Sequence, residues 1–301
     1  MVEDVPIIET APVYSYTYDQ IWIEGWSRAG IQSYWRLPSW NIAFDIGALP
    51  WRFIDTDYWF ISHAHLDHMA MLPILNARRW MMGRKPPKII VPKEIVPAVE
   101  QLFAAWIQLD EGSQECELIG VEPGDRVEVD HTRFVSVHRT FHAVPSRGYL
   151  IWERRKKLKP EYHSLTGPRL KQLKESGVTL SEEVPFPLLA YTGDTHSGVF
   201  EANPDFYRAK ILICEVTLCH PEHDRSKMRI HGHTHLEDIV EWADRFQNER
   251  LILGHFTAKN SLKYLVQRIN ELVPTHLRNR LVVWGLEEEK SVSIVNQSDA
   301  S

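Results

Sequence analysis

Residues 58–72 read YWFISHAHLDHMAML, and the fold follows from how this stretch is read. Tyr58, Trp59, Phe60 and Ile61 form a short apolar run of strand-forming types that stops at Ser62. Met69, Leu72 and Leu75 then recur at helical spacing. Between strand and helix stand His63, His65, Asp67 and His68, four ligand-type residues within six positions. A helix start needs one such side chain as its cap. Four of them at a strand end point to metal binding. Imidazole and carboxylate suit zinc, with iron and manganese as alternatives. His63 and His65 alternate around Ala64, so an extended backbone aims both at one ion. Asp67 and His68 are adjacent, aim elsewhere and suit a second.

The same signature recurs. RFVSVHRTFH (133–142) is a strand ending near His142, LLAYTGD (188–194) one ending at Asp194, and RLILGH (250–255) one ending at His255. Gly193 and Gly254 precede two of these residues and give the backbone room to approach an ion. Strands packed side by side bring such ends to one edge of a sheet. His63, His65, Asp67, His68, His142, Asp194 and His255 then converge, enough for two divalent ions with water completing each shell. His131 and His138 read as surface or core histidines. HGHTH (231–235) precedes a helix starting near Leu236. Residues two apart on a helix do not share a face, so at most one or two of His231, His233 and His235 reach the metal edge. The segment is either a helix start capped by Thr234 with exposed histidines, or the source of a proton donor.

Around this edge the chain alternates strands and helices. Residues 1–18 read as a loose lead-in with Pro6 and Pro12. Strands are expected over 20–26, 32–36, 40–45, 89–92, 116–121, 126–129, 133–137, 188–192, 211–216, 251–253 and 281–284. Helices are expected from the metal loop to about 80, over 95–109 with Pro97 in the first turn, over 236–246 and over 262–272. The tail NQSDAS reads as frayed. Hairpins interleaved with helices point to a sheet-on-sheet core covered by helices. Residues 150–187 break the rhythm: Arg154, Arg155, Lys156, Lys157 and Lys159, then LTGPRLKQLKESG, then Pro185 and Pro187. They read as an excursion from the core made of a basic strand end, a short helix and a Pro-rich return, either a solvated surface feature or a substrate-binding arm.

Composition bounds the rest. With 44% apolar and 25% charged residues the chain has the make-up of a soluble protein with a sizeable core, and 301 residues suit one large domain or two modest ones. Six of the eleven tryptophans precede residue 60 and read as packing anchors. A net charge of −6 argues against nonspecific nucleic-acid binding by the whole surface while allowing a local basic patch. Cys116, Cys214 and Cys219 form no disulfide framework, which suits a reducing compartment. The acidic start and the lack of a long apolar run predict no signal peptide and no membrane span, hence a cytoplasmic protein.

These motifs resemble the metallo-β-lactamase superfamily and, within it, its ribonuclease Z branch. The resemblance spans about residues 40–260. It rests on HAHLDH (63–68), HAVPSRGY (142–149), GDT (193–195), GHT (232–234) and GHFTAK (254–259), in the family's order. It implies an αββα sandwich, two mixed β-sheets flanked by helices, as a single domain over 1–301. It implies one zinc held by His63, His65 and His142, another by Asp67, His68 and His255, and Asp194 bridging them. His233 would protonate the leaving group and Glu215 would orient it. The chemistry implied is hydrolysis of a phosphodiester by hydroxide generated between two metals, with Asp67 able to take a proton from the bridging water. Arg147 and Lys259, close to the motifs, are expected to hold a phosphate. The substrate would be RNA, a tRNA precursor, or a smaller phosphodiester, and the family includes homodimers. A lactonase or other ester hydrolase on the same fold, and a non-catalytic metal-stabilised scaffold binding RNA or protein, are the competing readings. The chain departs from the family in lacking a Gly-Thr-Gly-like turn before Trp40 and a glycine shortly after His68. Its 150–187 excursion stands where the family carries a tRNA-gripping arm but is shorter.

Overall fold

A computed structural model describes residues 11–286. One sheet runs in the order β1 (Tyr14–Tyr18), β2 (Ile21–Ala29), β3 (Gln32–Leu37), β4 (Ile42–Phe44), β5 (Tyr58–Phe60), β6 (Lys88–Pro92) and β7 (Glu117–Val121). It is antiparallel from β1 to β4 and parallel from β4 to β7. The second sheet contains β8 (Arg126–Glu128), β9 (Arg133–Arg139), β10 (Arg147–Leu158), β11 (Ser181–Tyr191), β12 (Ile211–Glu215), β13 (Arg250–Gly254) and β15 (Leu281–Val283). It is antiparallel from β8 to β11 and parallel from β11 through β12 and β13 to β15. The short β14 (Phe256–Thr257) follows β13 but pairs with β2 of the first sheet.

Alternation along each strand explains the layering, because successive side chains point to opposite faces. Phe44, Phe60 and Ile90 of the first sheet and Tyr149, Ile151, Tyr191, Ile211 and Ile213 of the second meet in one buried cluster between the sheets. Their neighbours Ala43, Trp59 and Ile89 face outward and are covered by Leu72 and Leu75 of the helix Leu72–Met81 and by Val99 and Phe103 of the helix Val96–Asp110. On the other side Leu212, Cys214, Leu251 and Leu253 are covered by Leu236 and Ile239, and by Leu265 and Ile269 of the helix Leu262–Leu272. The result is the expected αββα sandwich, with apolar runs on strands buried on both faces. Among the described residues no helix is long and apolar enough to cross a membrane.

Three local expectations change. The end of the lead-in is not loose: Tyr14–Tyr18 pairs with β2, and Tyr14 stacks on Trp26 with ring centroids 5.2 Å apart. The 150–187 excursion has its expected basic strand end and short helix, Gly167–Glu175, but its Pro-rich return is a strand, since β10 and β11 run together from Tyr149↔Tyr191 to Leu158↔Ser181. Pro187 is tolerated within β11 because its carbonyl accepts from Lys210 N, away from β10. The N–H that proline lacks would point the same way, so no β10–β11 ladder bond is lost. The helix expected over 236–246 ends at Glu241 and continues as a 3-10 turn, Ala243–Arg245. The NQSDAS tail lies outside the described residues.

Candidate metal centre

The parallel strands end at one edge of the sandwich, and the polar residues that follow them meet there. His63 and His65 follow β5, Asp67 and His68 lie in the turn of helix Leu66–Met69, and Asp194 and His255 follow β11 and β13. His142 stands in the connection from β9 to β10. The chain turns sharply to deliver two of them. Gly193 has φ +58°, and a Cβ there would stand 2.5 Å from the Ser62 Cβ. His255 itself adopts φ +59°, which carries the backbone from the second sheet across to β14 beside β2. Tyr149 ties the two halves together, its hydroxyl donating to Ile61 O at 2.6 Å just ahead of the metal loop.

The donors form two adjoining groups, His63, His65, His142 and Asp194, and Asp67, His68 and His255, with a third set, Asp194, His233 and His255, overlapping them. In the first, His65 Nδ1 stands 3.1 Å from His63 Nε2 and 3.1 Å from His142 Nε2. In the second, His68 Nε2 lies 3.2 Å from His255 Nε2 and 3.7 Å from Asp67 Oδ2. Ligand atoms around a tetrahedral ion with bonds of about 2.0–2.1 Å stand about 3.3 Å apart. The observed edges match that spacing. Asp194 belongs to both groups, since its Oδ2 is 3.7 Å from His63 Nε2, 3.4 Å from His68 Nε2 and 3.3 Å from His255 Nε2.

The far side of each ring shows why the near side is a donor. Ser62 Oγ donates to Asp45 at 2.8 Å, so its oxygen accepts from His63 Nδ1 at 2.9 Å. His68 Nδ1 faces Asp45 Oδ2 at 2.7 Å, and His142 Nδ1 faces Gly232 O at 3.0 Å. Thr217 Oγ1 donates to Glu215 at 2.7 Å and accepts from His255 Nδ1 at 3.0 Å. These bonds assign a hydrogen to Nδ1 in all four imidazoles and leave Nε2 as the nitrogen aimed inward, free to ligate. This anchoring of the outer nitrogen is what metal-ligating histidines require. The donor set therefore fits divalent cations.

Asp45 was not singled out from sequence. It is fully buried and accepts from Ser62 N at 2.6 Å, Ser62 Oγ, His68 Nδ1 and Tyr191 Oη at 2.5 Å. The signal was present: IAFD (42–45) is one more apolar strand ending in a ligand-type residue. Thr217 carried no such signal.

The centre is electrostatically anionic. Burial works against the Asp194 carboxylate, yet His255, His68 and His63 hold its pKa well below the usual range. Asp67 is also opposed by burial but is lowered to about 2 by His255, by His68 and by the Gly30 N–H, which donates to Oδ2 at 2.8 Å. For His68, burial is outweighed by Asp194 and Asp45, and its pKa stands well above the ordinary value. His63 goes the other way, lowered by burial and by the neighbouring His68. Carboxylates that draw a proton onto one buried imidazole are asking for positive charge, and a divalent cation on Nε2 displaces that proton.

Of the HGHTH histidines, only His233 reaches this edge. Its Nδ1 lies 3.0 Å from Glu215 Oε1, and its ring stacks on His255 with centroids 5.8 Å apart. Burial would lower its pKa, but the Glu215 carboxylate and Asp194 raise it to about 9. His235 is the N-cap of helix Leu236–Glu241, its Nδ1 accepting from Glu237 N. Thr234 is not the cap, because its hydroxyl donates to Thr195 O at 2.7 Å. His231 is exposed. His131 is exposed, and His138 is a partly buried rim residue bonded to Ser136 and Asn203, as expected.

Arg147 does not offer itself to a phosphate. It is buried, with Nη2 bound to both Glu94 oxygens at 2.6–2.7 Å, Nε to Val121 O and Nη1 to Ser146 O. Every face of the guanidinium is spent inside the protein, so its role is to fix the start of β10. Lys259 is exposed past β14.

Residues 48–256 match the family model described as the beta-lactamase superfamily domain. Two relatives from Arabidopsis thaliana are similar along most of the chain. To tRNase Z TRZ1 it is 38% identical over 84% of this chain and 91% of the relative. To the chloroplastic tRNase Z TRZ2 it is 36% identical over 83% and 70%. Among solved structures, the metallo-beta-lactamase fold protein YhfI from Bacillus subtilis superposes with TM-score 0.59 at 14% identity, covering 86% of this chain and 92% of that one. The human short-form tRNase Z superposes with TM-score 0.51 at 19% identity, covering 83% and 91%. At such identities the superpositions speak for the fold alone, while the family model and the plant relatives carry the assignment. The chain belongs to the metallo-β-lactamase superfamily and, within it, is a ribonuclease Z-like metallohydrolase built to use divalent metal.

Proposed function

We propose that this protein is a metal-dependent phosphodiesterase acting on RNA, a tRNA 3′-end endonuclease working with two zinc ions. The observation that carries the reading is the shared carboxylate: one oxygen of Asp194 faces donors of both groups. Two cations at such a pair of sites supply an activated water and neutralise charge building on the phosphoryl oxygens. The nitrogen-rich donor set favours zinc over manganese or iron. RNA is supported by the relatives named tRNase Z.

The chain's own residues do the remainder. His233 is held by Glu215 at Nδ1, so Nε2–H is the end free to donate to the departing oxygen. Glu215 is itself fixed, accepting from Thr195 N at 2.9 Å and Thr217 N at 3.0 Å. Asp67, with its pKa near 2, is a weak base. Its part is to ligate and orient rather than to remove the water's proton.

We also read the protein as a homodimer of the cytoplasm. Trp80 and Met81 end one helix on the outer face of the first sheet, and Trp106 and Leu109 end the next, all exposed. Free Cys116, Cys214 and Cys219 suit a reducing compartment. The deciding experiment offers purified protein a 3′-extended tRNA precursor and bis(p-nitrophenyl) phosphate, each with and without chelator. Cleavage of the precursor at a single position, abolished by chelator, is expected. Turnover of the simple diester alone would move the substrate to a small molecule.

A further inference from the structure

A cavity of about 280 Å³ opens beside His233, and His196, Ser197, Ser226 and Arg229 line it with that residue. Arg225 also borders it but is neutralised by Asp238 and by Glu241, the latter at 2.7 Å. Arg229 is different. It is exposed, and among the described residues its guanidinium has no hydrogen bond and no carboxylate partner.

His196 adds a second free donor. Its Nδ1 accepts the Gly198 N–H at 3.0 Å, which puts the ring hydrogen on Nε2, and that nitrogen has no protein partner among the described residues. The ring is held in place by stacking on Phe141, with centroids 4.8 Å apart and planes at 19°. Arg139 sits over the Phe141 ring at 5.0 Å. A glycine lets the two side chains approach one another. A Cβ on Gly198 would stand 2.6 Å from His196 Cε1, and Arg229 Nη2 is 3.8 Å from that same point. One guanidinium and one imidazole therefore border the same cavity, and the acidic side chain beside them, Asp238, is engaged by Arg225 and by His235 N.

We propose that Arg229 and His196 form a phosphate subsite for the RNA strand on the leaving side of the scissile bond. An uncompensated guanidinium and an imidazole N–H on one cavity whose carboxylate is already engaged select an anion, and a guanidinium matches phosphate in geometry. The side follows from His233: it lines the same cavity and protonates the departing oxygen, so the strand attached to that oxygen runs through this cavity. Phe141 and Gly198 are positioning residues that set the His196 ring. The inference rests on the phosphodiesterase reading above. It adds what separates a nucleic-acid strand, with a second phosphate to offer, from a simple diester with one.

The test compares wild type, Arg229→Ala and Arg229→Lys on a 3′-extended precursor and on bis(p-nitrophenyl) phosphate. A product-length RNA that cannot be cut serves to measure equilibrium binding over a range of salt. In Arg229→Ala the ratio of kcat/KM on RNA to that on the simple diester falls roughly ten-fold, mainly through KM. Arg229→Lys recovers part of it. The slope of log binding constant against log salt becomes shallower by about 0.7, the share of one phosphate contact on a single strand. An unchanged ratio and slope, or both activities falling in parallel, overturns the subsite. Should wild type leave the precursor uncut, the endonuclease reading fails on that result alone, and the salt slope still decides the subsite.

Discussion

Replacing Glu215 by glutamine tests how His233 is kept ready to give up a proton. The carboxylate touches His233 Nδ1 at 3.0 Å and is 4% exposed. Two opposite charges about 4 Å apart interact by about 4 kcal/mol at an effective dielectric constant of 20, which is about three pKa units at 1.36 kcal/mol each. Burial of the imidazole works against this, and the balance is a rise from 6.5 to about 9. Glutamine keeps the shape but not the charge, so the pKa of His233 returns to about 6.5 or lower. A general acid acts only while protonated, so activity is lost as pH rises through this pKa. Lowering the pKa moves the alkaline limb of kcat to lower pH. With values of 9 and 6.5 the protonated fraction, and with it the rate, falls roughly thirty-fold at pH 8 but less than two-fold at pH 6. Bound cations lower both limbs without removing the difference. The assay is kcat on RNA from pH 5.5 to 10 under single-turnover conditions. Bis(p-nitrophenyl) phosphate serves as control, because p-nitrophenolate leaves without needing a proton. Thr195 N and Thr217 N bond to different oxygens of Glu215, so the amide leaves one of them unpaired at roughly 1–3 kcal/mol, tolerable for a folded domain. An alkaline limb that stays put on RNA, or a loss of equal size at every pH, refutes the reasoning.

Three further outcomes are expected. Asp45→Asn removes the acceptor that fixes His68 Nδ1 and should weaken metal binding roughly 10–100-fold in competition with a chelator, although Asp45 is not itself a ligand; undiminished affinity would sink the anchoring argument. His65→Ala should lower metal content and abolish turnover, whereas His233→Ala should keep its metal and lose about 10²–10⁴ in rate on RNA; equal metal loss in both, by elemental analysis, would contradict the division of roles. Arg147→Ala should lower unfolding free energy by about 1–3 kcal/mol through loss of its bonds to Glu94, Val121 and Ser146; a raised KM for RNA at undiminished stability would restore it as a phosphate ligand.

What was legible in the chain was what is local. A strand announces itself by a short apolar run, and the residue just past its end is fixed by the chain, so HAHLDH, His142, Asp194 and His255 could be gathered to one edge before any coordinates. Asp45 obeys the same rule, and only its partners Ser62, His68 and Tyr191 show that it anchors a ligand rather than acting as one. In the excursion the basic strand end and the short helix are legible, whereas the Pro-rich return hides a strand: β11 pairs with β10 past the core, and Pro187 faces away from that partner. Which of His231, His233 and His235 turned inward could not follow from spacing. It depended on Glu215, 18 residues away in sequence, arriving at 3.0 Å.

Thus the sequence by itself determined the donor types, their order and the strand ends that carry them, since side-chain alternation and ligand chemistry are properties of neighbouring residues. Only the stacking of the two sheets decided what each donor does. Glu94 meets Arg147 across 53 positions and takes it out of the site, and Asp45 meets Tyr191 across 146 and locks His68 in place. Hydrogen-bond partners of that separation are chosen by register and layer packing, which no local pattern encodes.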